Sequence, residues 1–268
     1  MKIGYFGTPF YSVKLLEALY DKKAEISFVV TNMDKPSGRK KILTPSPVKE
    51  FAISKSIPVF QFPSLRENMA IEKINSFSTD LNIVFAFGSI IPRAIFEHAL
   101  CGTVNLHTSL LPKFRGASPV ESAILSRDKT TGISLQYITE KLDAGEIILS
   151  KEIKILDTDN GETLLEKLTE LGIKEITGLL ERFEHKKFDS TPQDHSIATH
   201  CKKILPEDRL IDFRNETIDI FNKVRAFYPY HITYCQFRNK RLNICEAGLW
   251  NGKIHDLKGS GTLYLVDK

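Results

Sequence analysis

The 268 residues, 42% hydrophobic and 26% charged, are those of an ordinary folded chain, which excludes global disorder and leaves room for one large domain with a smaller companion. The formal charge of +4 is unevenly placed: residues 1–200 hold 25 Lys and Arg against 25 Asp and Glu, and residues 201–268 hold 12 against 8. No apolar run reaches bilayer length, Met1–Gly7 reads as a buried strand and not a secretion signal, and Cys101, Cys201, Cys235 and Cys245 contain no C-x-x-C pair, so no membrane, zinc site or disulfide framework is expected and the compartment is cytoplasmic.

Taken in order, residues 2–6 and 25–31 read as strands flanking a helix marked by Val13, Leu16, Leu19 and Tyr20, a βαβ start that predicts a parallel sheet. Thr8 followed by Pro9 reads as an N-cap and first helical residue. A nicotinamide site is excluded, because only Gly4 and Gly7 stand where G-x-G-x-x-G is required and the second strand ends Val30-Thr31-Asn32 without an acidic residue. Residues 32–46 form a polar loop with Lys35, Arg39, Lys40 and Lys41, which taken alone is an ordinary solvated loop. Ser46-Pro47 opens a short helix, residues 59–61 a short strand, and Ser64 to Glu67 reads as a capping box before a helix through Ile71 and Ile74. Residues 81–87 are nearly all apolar, as in a strand covered on both faces. Ile90 and Ile91 follow on a loop, where they fit an apolar ligand or a loop tucked against its own helix.

The chain is organised around residues 101–119. Asn105 and His107, two apart on an extended segment, face the same way while Val104 and Leu106 pack beneath. Ser118, Pro119 and Glu121 then read as N-cap, first helical residue and capping-box partner of a helix over 119–127. A strand near 133–138 leads into the 139–145 loop with Asp143, a strand near 147–155 follows, and a helix over 160–184 buries Leu164, Leu165, Leu168, Leu171, Ile176, Leu179, Leu180 and Phe183. Beyond a stretch without periodicity come a helix over 218–226 and strands near 233–237 and 241–246, a poor core by themselves.

Asn105-Leu106-His107, the run Ser109–Gly116 and Asp143-Ala144-Gly145 resemble the signature of the folate-dependent formyltransferases. Phe6–Pro9, Asp34–Lys41 and Thr44–Lys49 extend the likeness in collinear order, and within the superfamily it is to the branch that acts on initiator methionyl-tRNA. The resemblance implies an α/β fold, a Rossmann-like mostly parallel sheet flanked by helices, with a small β-barrel-type C-terminal domain. The implied division is a catalytic domain over 1–185, a linker over 186–208 and an OB-like tRNA-binding domain over 209–268. Gly261–Lys268 resembles one strand of that domain, after which family members continue, so the domain is expected to be short.

It further implies 10-formyltetrahydrofolate as co-substrate, no metal, initiator Met-tRNA as partner and a monomeric state. Asn105, His107 and Asp143 would be catalytic. Phe87, Gly88, Ile90, Ile91, Ser109, Leu110, Leu111, Pro112, Thr139 and Leu142 would line the folate. Lys35, Arg39, Lys40 and Lys41 would meet tRNA, on a loop one residue shorter than the usual family form. Arg115 is either a bracing hydrogen-bonder or a tRNA contact.

The chemistry suits these residue types. Formyl transfer from N10 to an amine passes through a tetrahedral species whose former carbonyl oxygen becomes negative, and an amide such as Asn105 can be aimed at that oxygen. His107 can donate to the same oxygen or relay a proton from the attacking amine to N10, with Asp143 orienting the ring. Taken singly, a turn-forming Asn, a surface His and an Asp before Ala-Gly are ordinary. The alternatives are a sugar-nucleotide or other small-amine N-formyltransferase, which shares the trio, and a catalytically silent RNA-binding module suggested by the basic last quarter with Tyr228, Tyr230 and Tyr234.

Overall fold

The computed structural model describes residues 1–38, 41–181 and 186–249. The chain opens with β1 (Lys2–Gly7), α1 (Phe10–Asp21), β2 (Glu25–Val30), a hairpin of β3 (Lys35–Ser37) and β4 (Ile42–Thr44), α2 (Pro47–Ser54) and β5 (Val59–Phe60). It continues through α3 (Asn68–Asn75), β6 (Leu81–Phe85), α4 (Arg93–Phe96), β7 (Thr103–His107), β8 (Arg115–Gly116) and α5 (Pro119–Leu125). Then come β9 (Thr130–Tyr137), β10 (Ile147–Lys154), α6 (Gly161–Leu180), β11 (His200–Cys201), α7 (Thr217–Phe227) and the hairpin β12 (Thr233–Phe237) with β13 (Lys240–Ile244).

Seven strands form one sheet in the order β10-β9-β7-β6-β1-β2-β5. From β5 to β7 the pairings are parallel, and β9 and β10 are added antiparallel at the far side. This is the expected Rossmann-like arrangement. Strand order reverses between β1 and β6, and the C-terminal ends of β6 and β7 open beside that reversal, where open α/β sheets leave a crevice.

Two apolar layers cover the sheet. One joins Leu15, Leu16 and Leu19 of α1 with Val104 and Leu106 of β7 and Leu164, Leu168 and Ile176 of α6. The other joins Phe6, Phe28, Val30 and Val84 with Phe87, Ile91 and Ile95. Ala226 and Phe227 of α7 belong to the first layer, so the C-terminal helix is docked on the main domain. The small C-terminal part adds the antiparallel pair β12–β13. No helix among the described residues is long and apolar enough to cross a membrane.

Local readings are corrected at several ends. Pro9, not Thr8, is the N-cap of α1, because the Thr8 hydroxyl is drawn away to accept from the Asn32 N–H. Glu67 is the N-cap of α3 without a side-chain bond, and Ser64 accepts instead from the Arg66 N–H in a local turn. Ser118 is the N-cap of α5 but makes no cap bond; its hydroxyl donates to the Lys202 carbonyl at 2.6 Å. Its supposed partner Glu121 is held above the usual carboxylate range by burial and lies 3.8 Å from His231. Ser46 caps α2 as read, accepting from the Lys49 N–H at 3.1 Å. A capping box that was not read forms at the start of α6, between Asn160 and Thr163.

The polar 32–46 loop proves to be the β3–β4 hairpin, whose three-residue strands are too short to show alternation. Its base is tied by Lys49, which donates to Asp34 Oδ2 at 2.6 Å and to Gln61 Oε1 at 2.7 Å. Phe183 and Gly261–Lys268 lie outside the described residues.

Gly172 lets α6 press onto β7: an added Cβ would stand 2.5 Å from Leu106 Cδ2. Leu106 lies between Asn105 and His107, so helix packing and site geometry are coupled here. Gly172→Val should lower stability by about 1–3 kcal/mol through overpacking, checked by denaturant unfolding.

Candidate active site

The alternation of β7 sends Val104 and Leu106, both buried, into the core and turns Asn105 and His107 to the other face. Antiparallel pairing sets Asn105 opposite Gln136 and His107 opposite Ser134. The two side chains of β7 and the amide of Gln136 therefore share one surface at the sheet's C-terminal edge.

Asp143 reaches this surface from the β9–β10 loop, on a left-handed backbone (φ 49°) that aspartate adopts more readily than most residues. Its Oδ1 accepts from Gln136 Nε2 at 3.0 Å and from Asn105 Nδ2 at 3.4 Å. Its Oδ2 accepts from the Gly116 N–H at 2.8 Å, and His107 Nδ1 stands 3.7 Å from the same oxygen. Asp143 and His107 side chains are 9% and 7% exposed, so the carboxylate depends on these donors and not on bulk water. His107 Nε2 lies 2.9 Å from the Phe114 carbonyl. A carbonyl only accepts, so Nε2 carries a hydrogen and Nδ1 is the nitrogen turned to the Asn105–Asp143 side.

The 108–118 loop is held by backbone chemistry from two directions. Ser134 Oγ donates to the Ser109 carbonyl at 2.8 Å and accepts from the Leu111 N–H at 3.0 Å. From the other side Arg115 N donates to Thr199 O at 2.8 Å and Ala117 N to Cys201 O at 3.2 Å. Gly116 is required at the tightest point, with φ 118° and an added Cβ only 2.1 Å from Cys201 O. That close approach is what brings the Gly116 N–H onto Asp143.

Arg115 is buried, its Nε and Nη2 donating to Gln193 Oε1 at 3.1 and 2.6 Å, with Nη2 also 2.8 Å from His195 Nδ1. Of its two readings, the bracing one matches this geometry. Gln193 Nε2 donates to Gln136 Oε1 at 3.1 Å, Asp143 O at 3.0 Å and Gly145 O at 2.7 Å. The stretch read as a linker thus closes one wall of the site.

The residues expected to line folate divide into three groups. Phe87, Gly88, Ile90 and Ile91 follow β6: Phe87 and Ile91 are core residues, Ile90 is 70% exposed and Gly88 turns the chain at φ 75°. Leu142, also 70% exposed, and Thr139 lie on the Asp143 loop. Leu110, Leu111 and Pro112 belong to the 108–118 loop, as does Ser109, which is fully buried and donates its hydroxyl to the Lys113 carbonyl at 2.6 Å, a bond that shapes the loop. Lys35 and Lys41 are exposed on the β3–β4 hairpin, while Arg39 and Lys40 lie outside the described residues.

A cavity of about 260 Å³ adjoins the β6 loop, lined by Asn32, Phe62, Arg66, Phe87, Ser89 and Ile90 among others. A larger cleft of about 590 Å³ between α5, β11 and α7 is lined by none of Asn105, His107 and Asp143.

Sequence reasoning missed Gln136, Gln193 and Arg66. Gln136 carried a usable signal, a lone amide between Leu135 and Tyr137 in an apolar strand leading to Asp143. Gln193 carried none, because its partners are 48 to 78 residues away.

The family model for formyl transferase matches residues 1–180, and that for the formyl transferase C-terminal domain matches residues 203–268. A relative from Leptospira interrogans, named methionyl-tRNA formyltransferase, is 49% identical over 250 residues, covering 92% of this chain and 79% of its own. Among solved structures, methionyl-tRNA formyltransferase from Clostridium thermocellum superposes with a TM-score of 0.68 at 18% identity, covering 94% of this chain and 95% of its own. The N-formyltransferase from Helicobacter canadensis, solved with folinic acid and dTDP-3-aminofucose, gives 0.69 at 19% identity, covering 95% and 90%. These structures show a shared fold, and with the family models and the Leptospira relative they lead to one conclusion: the chain belongs to the formyl transferase family.

Proposed function

We propose that the chain transfers the formyl group of 10-formyltetrahydrofolate to the amino group of initiator methionyl-tRNA. The observation that carries this reading is the convergence of Asn105, His107 and a largely buried Asp143 at the C-terminal end of β7. The identity of 49% to a relative named for that activity supports the choice of acceptor.

Asn105 Nδ2 is the donor for the oxygen that becomes negative in the tetrahedral species, held by Asp143 Oδ1 until substrate arrives. His107 Nδ1 is placed to take the proton of the attacking amine and hand it to the departing N10. Asp143 holds Asn105 through Oδ1, its Oδ2 stands 3.7 Å from the nitrogen of His107 that takes the proton, and the carboxylate is itself held by Gln136 and Gly116. Folate is the bound group this chemistry requires, and it supplies the activated formyl. The pterin would lie between the exposed Ile90 and Leu142. The 260 Å³ cavity, with the Phe62 and Phe87 rings and the Arg66 guanidinium, suits the aromatic and carboxylate arm of the same molecule.

On the acceptor side the β3–β4 hairpin offers Lys35 and Lys41, and Lys49 ties its base to Asp34 and Gln61. Phosphate contacts by Lys35, Arg39, Lys40 and Lys41 are the expected use of this element, with the C-terminal part over 209–268 as a second contact. The same acceptor makes a cytoplasmic setting and a monomer the natural expectation.

The decisive assay offers labelled 10-formyltetrahydrofolate to aminoacylated initiator tRNA and, separately, to amino-sugar nucleotides. Product on the tRNA alone is expected, and product on the sugar nucleotide alone would reassign the acceptor. Asn105→Ala should lower kcat roughly 10²-fold or more with folate affinity retained; turnover near wild type would remove Asn105 from the chemistry. Raising salt from roughly 50 to 200 mM should weaken acceptor binding by more than about tenfold, the mark of phosphate-mediated recognition, and a flat KM across that range would speak for a small acceptor.

A further inference from the structure

Four side chains form a directed chain that ends on the Asp143 carboxylate, and its direction is fixed by donor and acceptor chemistry. Arg115 has no acceptor atom, so the Gln193 oxygen must be the atom facing its Nε and Nη2. That leaves the Gln193 amino group facing Gln136 Oε1 and the Asp143 and Gly145 carbonyls, three groups that only accept. Gln136, with its oxygen engaged in this way, turns its own amino group to Asp143 Oδ1 at 3.0 Å. Reversing either amide would set like atoms against each other at every contact, inside a site where Arg115, Gln136 and Gln193 are 6%, 2% and 7% exposed and water cannot compensate.

We infer that Gln193 is a positioning residue for formyl transfer, acting through Gln136 and the Asp143 backbone to present the Asp143 carboxylate to Asn105 and His107. Gln193 belongs to residues 181–202, between the stretches matched by the two family models. It touches none of the reacting groups proposed above and acts on them only through others. The bonds to Asp143 O and Gly145 O pin the 143–145 turn, and the bond to Gln136 selects which end of that amide the carboxylate meets. Loss of the chain would free Asp143 to shift, and a displacement on the order of 1 Å at reacting groups can cost about 10²-fold in rate.

The inference rests on the proposed activity, and wild-type turnover with initiator Met-tRNA serves as the separate control for that reading. In the full-length protein Gln193→Ala should lower kcat by about 10- to 100-fold while KM for folate and for acceptor stays within about twofold, since the residue contacts neither. The deciding measurement repeats the substitution in an Asp143→Asn background. There Gln193→Ala should add less than about a twofold loss, because a carboxylate that is already gone cannot be misplaced. The isosteric Gln193→Glu can still accept from Arg115 but cannot donate to Gln136, and carries the same pair of measurements if the alanine variant does not fold. A kcat within about threefold of wild type, or an equal proportional loss with and without the Asp143 carboxylate, would overturn the inference; absent wild-type turnover would overturn the activity instead.

Discussion

A largely buried carboxylate must be surrounded by donors, and that requirement at Asp143 organises the catalytic end of the sheet. Its two oxygens draw on a strand residue of β7, a strand residue of β9 and the backbone of the 108–118 loop. Each donor brings its own support. Gln136 is fixed by register opposite Asn105, and the Gly116 N–H is fixed by a backbone that no larger residue could follow. The formyl-transfer chemistry proposed for Asn105 and His107 therefore depends on several elements packed together.

Much of this was legible in the sequence where the information is local. Period-two alternation in β7 told which face Asn105 and His107 share, and the burial of Val104 and Leu106 agrees with it. The apolar run of 81–87 marked a strand covered on both sides, and the fully buried β6 matches it. Helix ends were less legible, because a cap is a competition among nearby acceptors. Ser118 is a good cap by composition, yet Lys202, 84 residues away, takes its hydroxyl. Thr8 loses its cap role to a residue of another strand end in the same way.

The nearness of Asn105, His107 and Asp143, for which the catalytic role is proposed, was legible, and what holds them was not. Arg115 stood in a family-like run with two possible roles, and only its burial against Gln193 and His195 selects one. Residues 186–208 lacked periodicity, which in a sequence reads as a connector. Here their order comes from long-range backbone pairing of β11 with β8, which leaves no pattern in composition. The β3–β4 hairpin was read as loop for a related reason: two strands of three residues carry too few positions for a pattern.

The pairing of β11 with β8 has a consequence for how such chains can be rearranged. Thr199 and Cys201 hold the loop of Arg115 to Ala117 by backbone bonds, so the scaffold of the active site runs past the end of the stretch matched by the N-terminal family model at residue 180. A graft that kept the first 180 residues and exchanged everything after them would inherit Asn105, His107 and Asp143 but leave unclamped the Arg115–Ala117 loop that supplies the Gly116 N–H to Asp143. The natural crossover point for a chimera, or for a lineage that trades one C-terminal part for another, therefore falls beyond Lys202, whose carbonyl accepts from Ser118.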